Sequence, residues 1–244
     1  MILFATGMAA GLVDSIAGGG GLLTIPVLLG IGIPPQLALG TNKLQGCFGS
    51  GSAMLSFIRS KTITLYNCRL GVILTALGAG LGSYAIQLLD STLLHRMIPW
   101  LLLLIVVYTL LTPRLGQYDI NPRMTSGAFF LVTGPVLGFY DGFFGPGTGS
   151  LWVIALMLGL GFNMTRATGY TKVMNFTSNV TSLIIFIAGG SVLWREGFVM
   201  GAGQFIGAKI GSHLVIRGGT RFIRPVFITM VLLITAKLLW QNYK

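Results

Sequence analysis

The chain has 244 residues, of which 53% are hydrophobic and only 9% charged, with a mean hydropathy of +0.82. A soluble domain carries about 25% charged residues, so this composition excludes a water-facing surface and makes the bilayer the solvent. The formal charge is +11, but most basic residues fall between apolar blocks, which fits orientation by cytoplasmic loops and argues against nucleic acid as a partner.

Eight apolar blocks follow in order, at roughly 2–31, 36–58, 66–89, 93–112, 125–161, 166–189, 197–215 and 222–240. No basic region stands before Ile2-Leu3-Phe4, so the first block is expected to stay in the mature protein. A spanning helix needs about 20 apolar residues. By that measure six blocks fit one crossing each. The first and fifth are too long for one crossing and too short for two. Glycine cuts both of them: Gly18-Gly19-Gly20-Gly21 in the first, Gly145-Pro146-Gly147-Thr148-Gly149 in the fifth. Such runs stop a helix. Each block is therefore predicted to form two part-length helices joined at membrane depth, with the second helix starting near Leu22 or Ser150.

The two halves resemble each other. Gly11-Leu12-Val13-Asp14 matches Gly138-Phe139-Tyr140-Asp141 at an offset of 127, and after a two-residue insertion the offset becomes 129. It then pairs Ala38 with Ala167, Gly40 with Gly169, Lys43 with Lys172 and Phe57 with Phe186. Gly78-Ala79 and Gly82-Ser83 likewise match Gly207-Ala208 and Gly211-Ser212.

Loop charge separates a parallel from an inverted arrangement. If every block crosses once, basic residues divide five against seven between the two sides. If the two glycine-cut blocks are hairpins, they divide nine against three. In that case Arg59, Lys61, Arg69, Arg114, Arg123, Arg166, Arg217, Arg221 and Arg224 share the cytoplasmic side, and Arg96, Arg195 and Lys244 the other. The expected fold is an all-α polytopic membrane protein of two homologous, inverted repeats. Each repeat has one glycine-broken helical hairpin and three transmembrane helices. Residues 1–112 form the first repeat, 113–124 a cytoplasmic linker and 125–244 the second, with both termini extracytoplasmic.

The glycine breaks are the first candidate site. A helix start offers unpaired N–H groups at the positive end of a dipole, and glycine lets an anion approach them. Gly18, Gly19, Gly20, Gly21 and Leu22 would face Gly145, Gly147, Thr148, Gly149 and Ser150. Plain packing of small residues is the structural alternative. Lys43 and Lys172 are the second candidate. They occupy matched positions inside apolar blocks, beside Thr41, Asn42, Gln45, Thr171 and Asn175. An ammonium at that depth needs a partner; attraction of an anion, an internal ion pair and snorkelling all supply one. Asp14 and Asp141 precede the two breaks. They could carry a proton or a cation, cap the turn, or pair with the lysines. An intramembrane protease is disfavoured, since Tyr140-Asp141 lacks the Gly-x-Gly-Asp of the presenilin-type signature.

Lys209 either lines a pathway or snorkels; its first-half counterpart is Gly80. Cys47 could react with a sulfur oxyanion as its thiolate, but a small buried hydrophobe is the plainer reading. Cys47 and Cys68 make no disulfide or metal framework, and no Walker loop, Rossmann fingerprint or metal-ligand cluster is present. No catalytic residue, metal or cofactor is therefore expected, and the chain does not read as an enzyme.

The stretch Asp14-Ser15-Ile16-Ala17-Gly18-Gly19-Gly20-Gly21-Leu22-Leu23-Thr24-Ile25-Pro26 resembles the sulfite exporter TauE/SafE family. So do Ala38-Leu39-Gly40-Thr41-Asn42-Lys43-Leu44-Gln45, Gly145-Pro146-Gly147-Thr148-Gly149 and Thr171-Lys172. The resemblance covers both halves. It implies a secondary transporter of the bacterial inner membrane whose substrate is sulfite, an organosulfonate or another sulfur oxyanion, moved outward. The expected partners are that anion and the lipid bilayer, with a homodimer left open. A passive anion channel and a non-transporting assembly partner are the rival readings.

Overall fold

The computed structural model describes residues 1–94, 97, 98, 100, 101 and 119–218. Most of the apolar block at 93–112, all of that at 222–240, and Arg96, Arg114, Arg221, Arg224 and Lys244 lie outside the described residues, as do parts of the predicted linker and of both predicted repeats.

Among the described residues the regular structure is entirely helical. Helix α1 (Ile2–Ala17) ends at Gly18, whose φ of 77° is left-handed and whose N–H donates to the Asp14 carbonyl. Helix α2 (Gly20–Gly30) starts at once after it. Helix α3 (Pro35–Arg59) opens on Pro35, whose ring is pre-set for the first helical position. A single 3₁₀ turn at Leu65–Cys68 leads into α4 (Arg69–Gln87). In the second half, Thr125 caps α5 (Ser126–Phe143) by accepting from the Ala128 N–H. Gly147, with φ 82°, precedes α6 (Thr148–Leu160). Asn163 caps α7 (Met164–Ala188) by accepting from the Arg166 N–H, and α8 (Trp194–Gly218) follows. The short helices after the breaks thus begin two residues before the predicted Leu22 and Ser150, because glycine and threonine can take up the first helical turn.

Contacts fix the direction of each helix. Gly7 lies against Met200, Gly11 against Gln204 and Ser15 against Gly211, so α1 runs parallel to α8. Gly71 lies against Phe130, Gly138 against Thr75 and Gly142 against Ala79, so α4 runs parallel to α5. Gly46 meets Asn179, Gly51 meets Phe176 and Gly169 meets Phe57, so α3 and α7 are antiparallel. The hairpin α5–α6 returns to its starting end: the Ile120 and Arg123 N–H groups donate to the Gly161 and Gly159 carbonyls at 2.8 and 3.0 Å. The hairpin α1–α2 also returns, since Leu3 packs beside Leu28 and Leu29. The two hairpins enter the bundle from opposite ends.

One end holds Arg59, Lys61, Arg69, Arg123, Arg166 and Arg217, against the single acid Asp119 among the described residues. The other holds Arg195 with Glu196 and Asp90. Charge is therefore segregated along the helix axes.

By length and mean hydropathy, only the helical stretch Leu65–Gln87 among the described residues qualifies as a membrane span. That differs from the one crossing per block read for α3, α7 and α8, and the reason is visible. Each of these has 25 residues, about 37 Å at the helical rise, ample for a hydrocarbon core of about 30 Å. Their mean hydropathy is lowered by buried polar side chains, including Asn42, Lys43, Gln45, Lys172, Asn175 and Gln204. Their outer faces carry exposed Leu55, Ile184, Phe198, Phe205 and Ile206. Apolar outside and polar inside is a helix bundle solvated by lipid around an inner site.

Candidate functional site at the meeting of two broken helices

The hairpin tips touch. A Cβ placed on Gly18 would lie 2.5 Å from the Gly149 carbonyl carbon, and one on Gly149 would lie 2.5 Å from Gly18 Cα. Backbone rests on backbone here, which only glycine permits. Beside the contact is a small cavity of about 30 Å³, room for about two water molecules. The tips contribute Gly18, Gly21, Gly145, Gly147, Thr148 and Gly149 to its wall. Asn42 and Gly46 come from α3, Asn175 and Asn179 from α7, and Gln204 from α8. Asp14 and Asp141 complete the lining.

Two ion pairs cross between the halves. Lys43 Nζ lies 2.9 Å from Asp141 Oδ1, and Lys172 Nζ lies 3.1 Å from Asp14 Oδ2. Each ammonium also donates to the main-chain carbonyl of the same aspartate. Those carbonyls belong to the last turns of α5 and α1, where a helix dipole is negative. A lysine from each half therefore caps the hairpin helix of the other. Both lysines are at most 1% exposed. A charge buried so deeply needs its partner, because removing one member strands the other in a low-dielectric interior.

The pairs are not equivalent. Asp141 is 6% exposed at its side chain and accepts a further hydrogen bond from the Ser178 hydroxyl. Asp14 is 14% exposed and accepts instead from the Gly20 N–H at 3.3 Å. Position 178 matches Gly49 in the first half, which has no hydroxyl to give.

The other predicted residues divide by position. Asn42 Oδ1 accepts from the Thr24 hydroxyl at 2.7 Å and from Gln45 Nε2 at 2.9 Å, so Gln45 orients a cavity residue without lining the cavity. Thr41 is buried elsewhere and accepts from the Leu193 N–H at 3.0 Å, tying α3 to the start of α8. Leu22 belongs to an apolar cluster with Ile25, Leu39 and Phe144. Gly19 is the N-cap of α2, and Gly20 its first residue. The Ser150 N–H donates to the Gly147 carbonyl at 3.0 Å. Lys209 is exposed on the outer face of α8, away from the cavity, and Cys47 is half-buried with a free thiol.

Asn179, Gln204, Gly46 and Ser178 were not singled out from the sequence. The signal for two of them was present: Asn179 and Ser178 follow Lys172 and Asn175 at helical spacing on one face of α7. Gln204 is an amide inside an apolar block, a placement that itself marks an inner surface. Among the described residues, three buried amide oxygens, on Gln45, Asn175 and Gln204, have no hydrogen-bond partner. Those of Asn175 and Gln204 belong to residues that line the cavity. Buried amides do not stay unsatisfied without a water or ligand to meet them.

The helix starts of α2 and α6 bring positive dipole ends to the same cavity, and four carboxamides add N–H donors. With the lysines matched by aspartates, the site is formally neutral but rich in donors.

The sequence matches the sulfite exporter TauE/SafE family from residue 3 to residue 238. The chain belongs to that family. A "Probable membrane transporter protein" of Haemophilus influenzae is 47% identical over 241 residues, covering 99% of this chain and 94% of the relative. The Escherichia coli K12 "Probable membrane transporter protein YfcA" is 45% identical over 242 residues, covering 99% and 90%. A more distant relative, the "Probable membrane transporter protein YunE" of Bacillus subtilis, is 26% identical over 267 residues, covering 99% and 98%. No solved structure matches. As a TauE/SafE member the chain is a membrane transporter and not an enzyme.

Proposed function

We propose that this TauE/SafE member is a secondary transporter of a small anion, sulfite or an organosulfonate or related sulfur oxyanion, exported across the bacterial inner membrane by alternating access. One observation carries it: two broken-helix tips, entering from opposite ends, meet at Gly18 and Gly149 beside a cavity lined by helix starts and carboxamides. This is how inverted-repeat transporters place a substrate between discontinuous helices. We read the halves as inverted repeats, the basic end as cytoplasmic and the end bearing Met1 as extracytoplasmic.

The cavity holds about two waters when the tips are in contact, so an oxyanion enters as they part. The N–H groups at the starts of α2 and α6 then replace part of its hydration, and Asn42, Asn175, Asn179 and Gln204 orient its oxygens. Lys43 and Lys172 are held by Asp141 and Asp14 in this state. A proton taken up by either aspartate frees a lysine to face the anion, which would couple anion and proton movement. The mean hydropathy of the chain and the segregation of its basic residues support the membrane placement.

The test is thermal stabilisation of the detergent-purified protein by sulfite, sulfate, thiosulfate, sulfoacetate and taurine, with chloride as control. A ligand that binds only the folded state raises its apparent stability. Saturable stabilisation by one sulfur anion, followed by counterflow of that anion in liposomes, is the expected result. Binding without counterflow would identify a channel, and no binding by a folded sample would overturn the reading.

A further inference from the structure

A second, larger cavity lies at the basic end of the bundle, remote from the hairpin tips. Its volume is about 420 Å³, within the range of small-molecule sites. The floor is apolar and buried, formed by Phe130, Leu160 and Tyr170. The rim is exposed and includes Tyr66, Met124 and Ser126. These residues come from the 3₁₀ turn before α4, from the start of α5 and the segment before it, from the end of α6 and from the first two turns of α7.

Three arginines adjoin the residues that line the cavity. The Arg69 guanidinium lies 4.6 Å from the centre of the Tyr66 ring, and that of Arg166 lies 4.2 Å from the centre of Phe162, which also lines the cavity. Arg123 stands between the lining residues Pro122 and Met124. Arg166 pairs with Asp119 at 3.2 Å. Among the described residues, neither Arg69 nor Arg123 has a carboxylate partner.

The pairing of the two halves does not account for this cavity. The positions matching Phe162, Arg166 and Tyr170 at the 129-residue offset are Ile33, Leu37 and Thr41. The matching positions of the first half therefore carry neither an aromatic side chain nor a cation.

We propose that this cavity is a binding site for an anionic phospholipid of the inner leaflet, with an acyl segment on the apolar floor and the phosphate held by Arg69 and Arg123. An apolar cleft at the helix ends, with Arg69 against its rim and Arg123 next in sequence to its lining, neither with a carboxylate partner among the described residues, is complementary to a molecule with a tail and a negative head. Basic pockets between transmembrane helices on the cytoplasmic side bind such head groups. Tyr66 and Phe162 stand where aromatic side chains anchor a protein at the bilayer surface. Arg166, engaged with Asp119, holds the wall in place.

The experiment compares phosphatidylglycerol with phosphatidylcholine of the same chains, added to delipidated protein in detergent, by native mass spectrometry and by thermal unfolding. Phosphatidylglycerol is expected to bind more tightly and to raise the unfolding temperature more. The double variant Arg69→Gln/Arg123→Gln should bind it about thirtyfold more weakly, since each basic residue near a lipid head group is worth about a fivefold factor. Met124→Trp, which fills the cavity from an exposed position, should lose the preference with the arginines intact. Arg195→Gln, at the other end, should keep it. Equal binding of the two lipids, an unchanged preference in the double variant, or equal stabilisation by free glycerol phosphate would each overturn the proposal. None of these readouts depends on transport, so they separate this site from the anion site between the hairpins.

Discussion

Lys43, on α3, holds Asp141, on α5, by its side-chain carboxylate and its main-chain carbonyl together. A single ammonium thus neutralises a buried charge and caps a helix end in the opposite half of the protein. Lys172 does the same to Asp14.

Lys43→Ala should therefore be costly to stability. Asp141 would remain buried without its partner, at a cost of about 3–5 kcal/mol. The double variant Lys43→Met/Asp141→Asn should recover much of the loss, because no uncompensated charge remains. Thermal unfolding of the three proteins checks this. If the double variant were as unstable as the single one, the pair would not be what holds the hairpin.

The two pairs should differ in tolerance. Asp14→Asn should cost less stability than Asp141→Asn, since Asp14 is more exposed and has no serine donor. Thermal unfolding of the two variants measures the difference, and equal losses in both would remove the distinction.

Gly18→Ala should disrupt the tip contact. Its Cβ would overlap Gly149, and its φ of 77° disfavours any side chain. A large fall in unfolding temperature or loss of anion binding is expected. Gly127→Ala serves as control: nothing lies within 4 Å of its added Cβ, and alanine within a helix should gain about 0.5–1 kcal/mol.

Asn179→Asp places a carboxylate in the cavity wall without changing side-chain size. It should weaken anion binding at least tenfold, a repulsion readily reached at a few ångströms in a protein interior. Asn179→Ala should weaken it less. Titration of the purified variants measures both.

The proposed orientation, with the basic end cytoplasmic, is open to labelling. In a variant lacking Cys47 and Cys68, a cysteine at Lys61 should react with an impermeant maleimide only from the cytoplasmic side. One at Glu196 should react only from outside. The reverse pattern would invert the assignment of the basic end.

The helical class and both glycine breaks were legible in the sequence, because a backbone rule sets them: consecutive glycines end a helix whatever surrounds them. The matched lysines and aspartates were legible as four charges in apolar surroundings. An internal ion pair was one of three open alternatives for the lysines, without a reading of which lysine meets which aspartate. Sequence order says nothing about which helix of one half lies beside which hairpin of the other, and that neighbour alone decides the partner. Asn179 and Gln204 escaped for a related reason. A polar residue becomes a site residue through the face it occupies, and faces of α7 and α8 are set by the tertiary contacts of α3 and α1. The cavity lined by Tyr66, Met124, Phe130, Leu160 and Tyr170 gave no linear signal, since its walls come from four separate segments.

The parallel pairing of α1 with α8 bears on how the protein is made. Gly7 and Gly11 rest against Met200 and Gln204, so the first of the described helices is covered by the last of them. Until α8 is threaded, the glycine-bearing side of α1 has only lipid or the insertion machinery for company. Closure is a long-range event that comes late and is slow by its topology. Truncation before α8 would leave the first hairpin inserted without its cover, making it a natural substrate for membrane quality control.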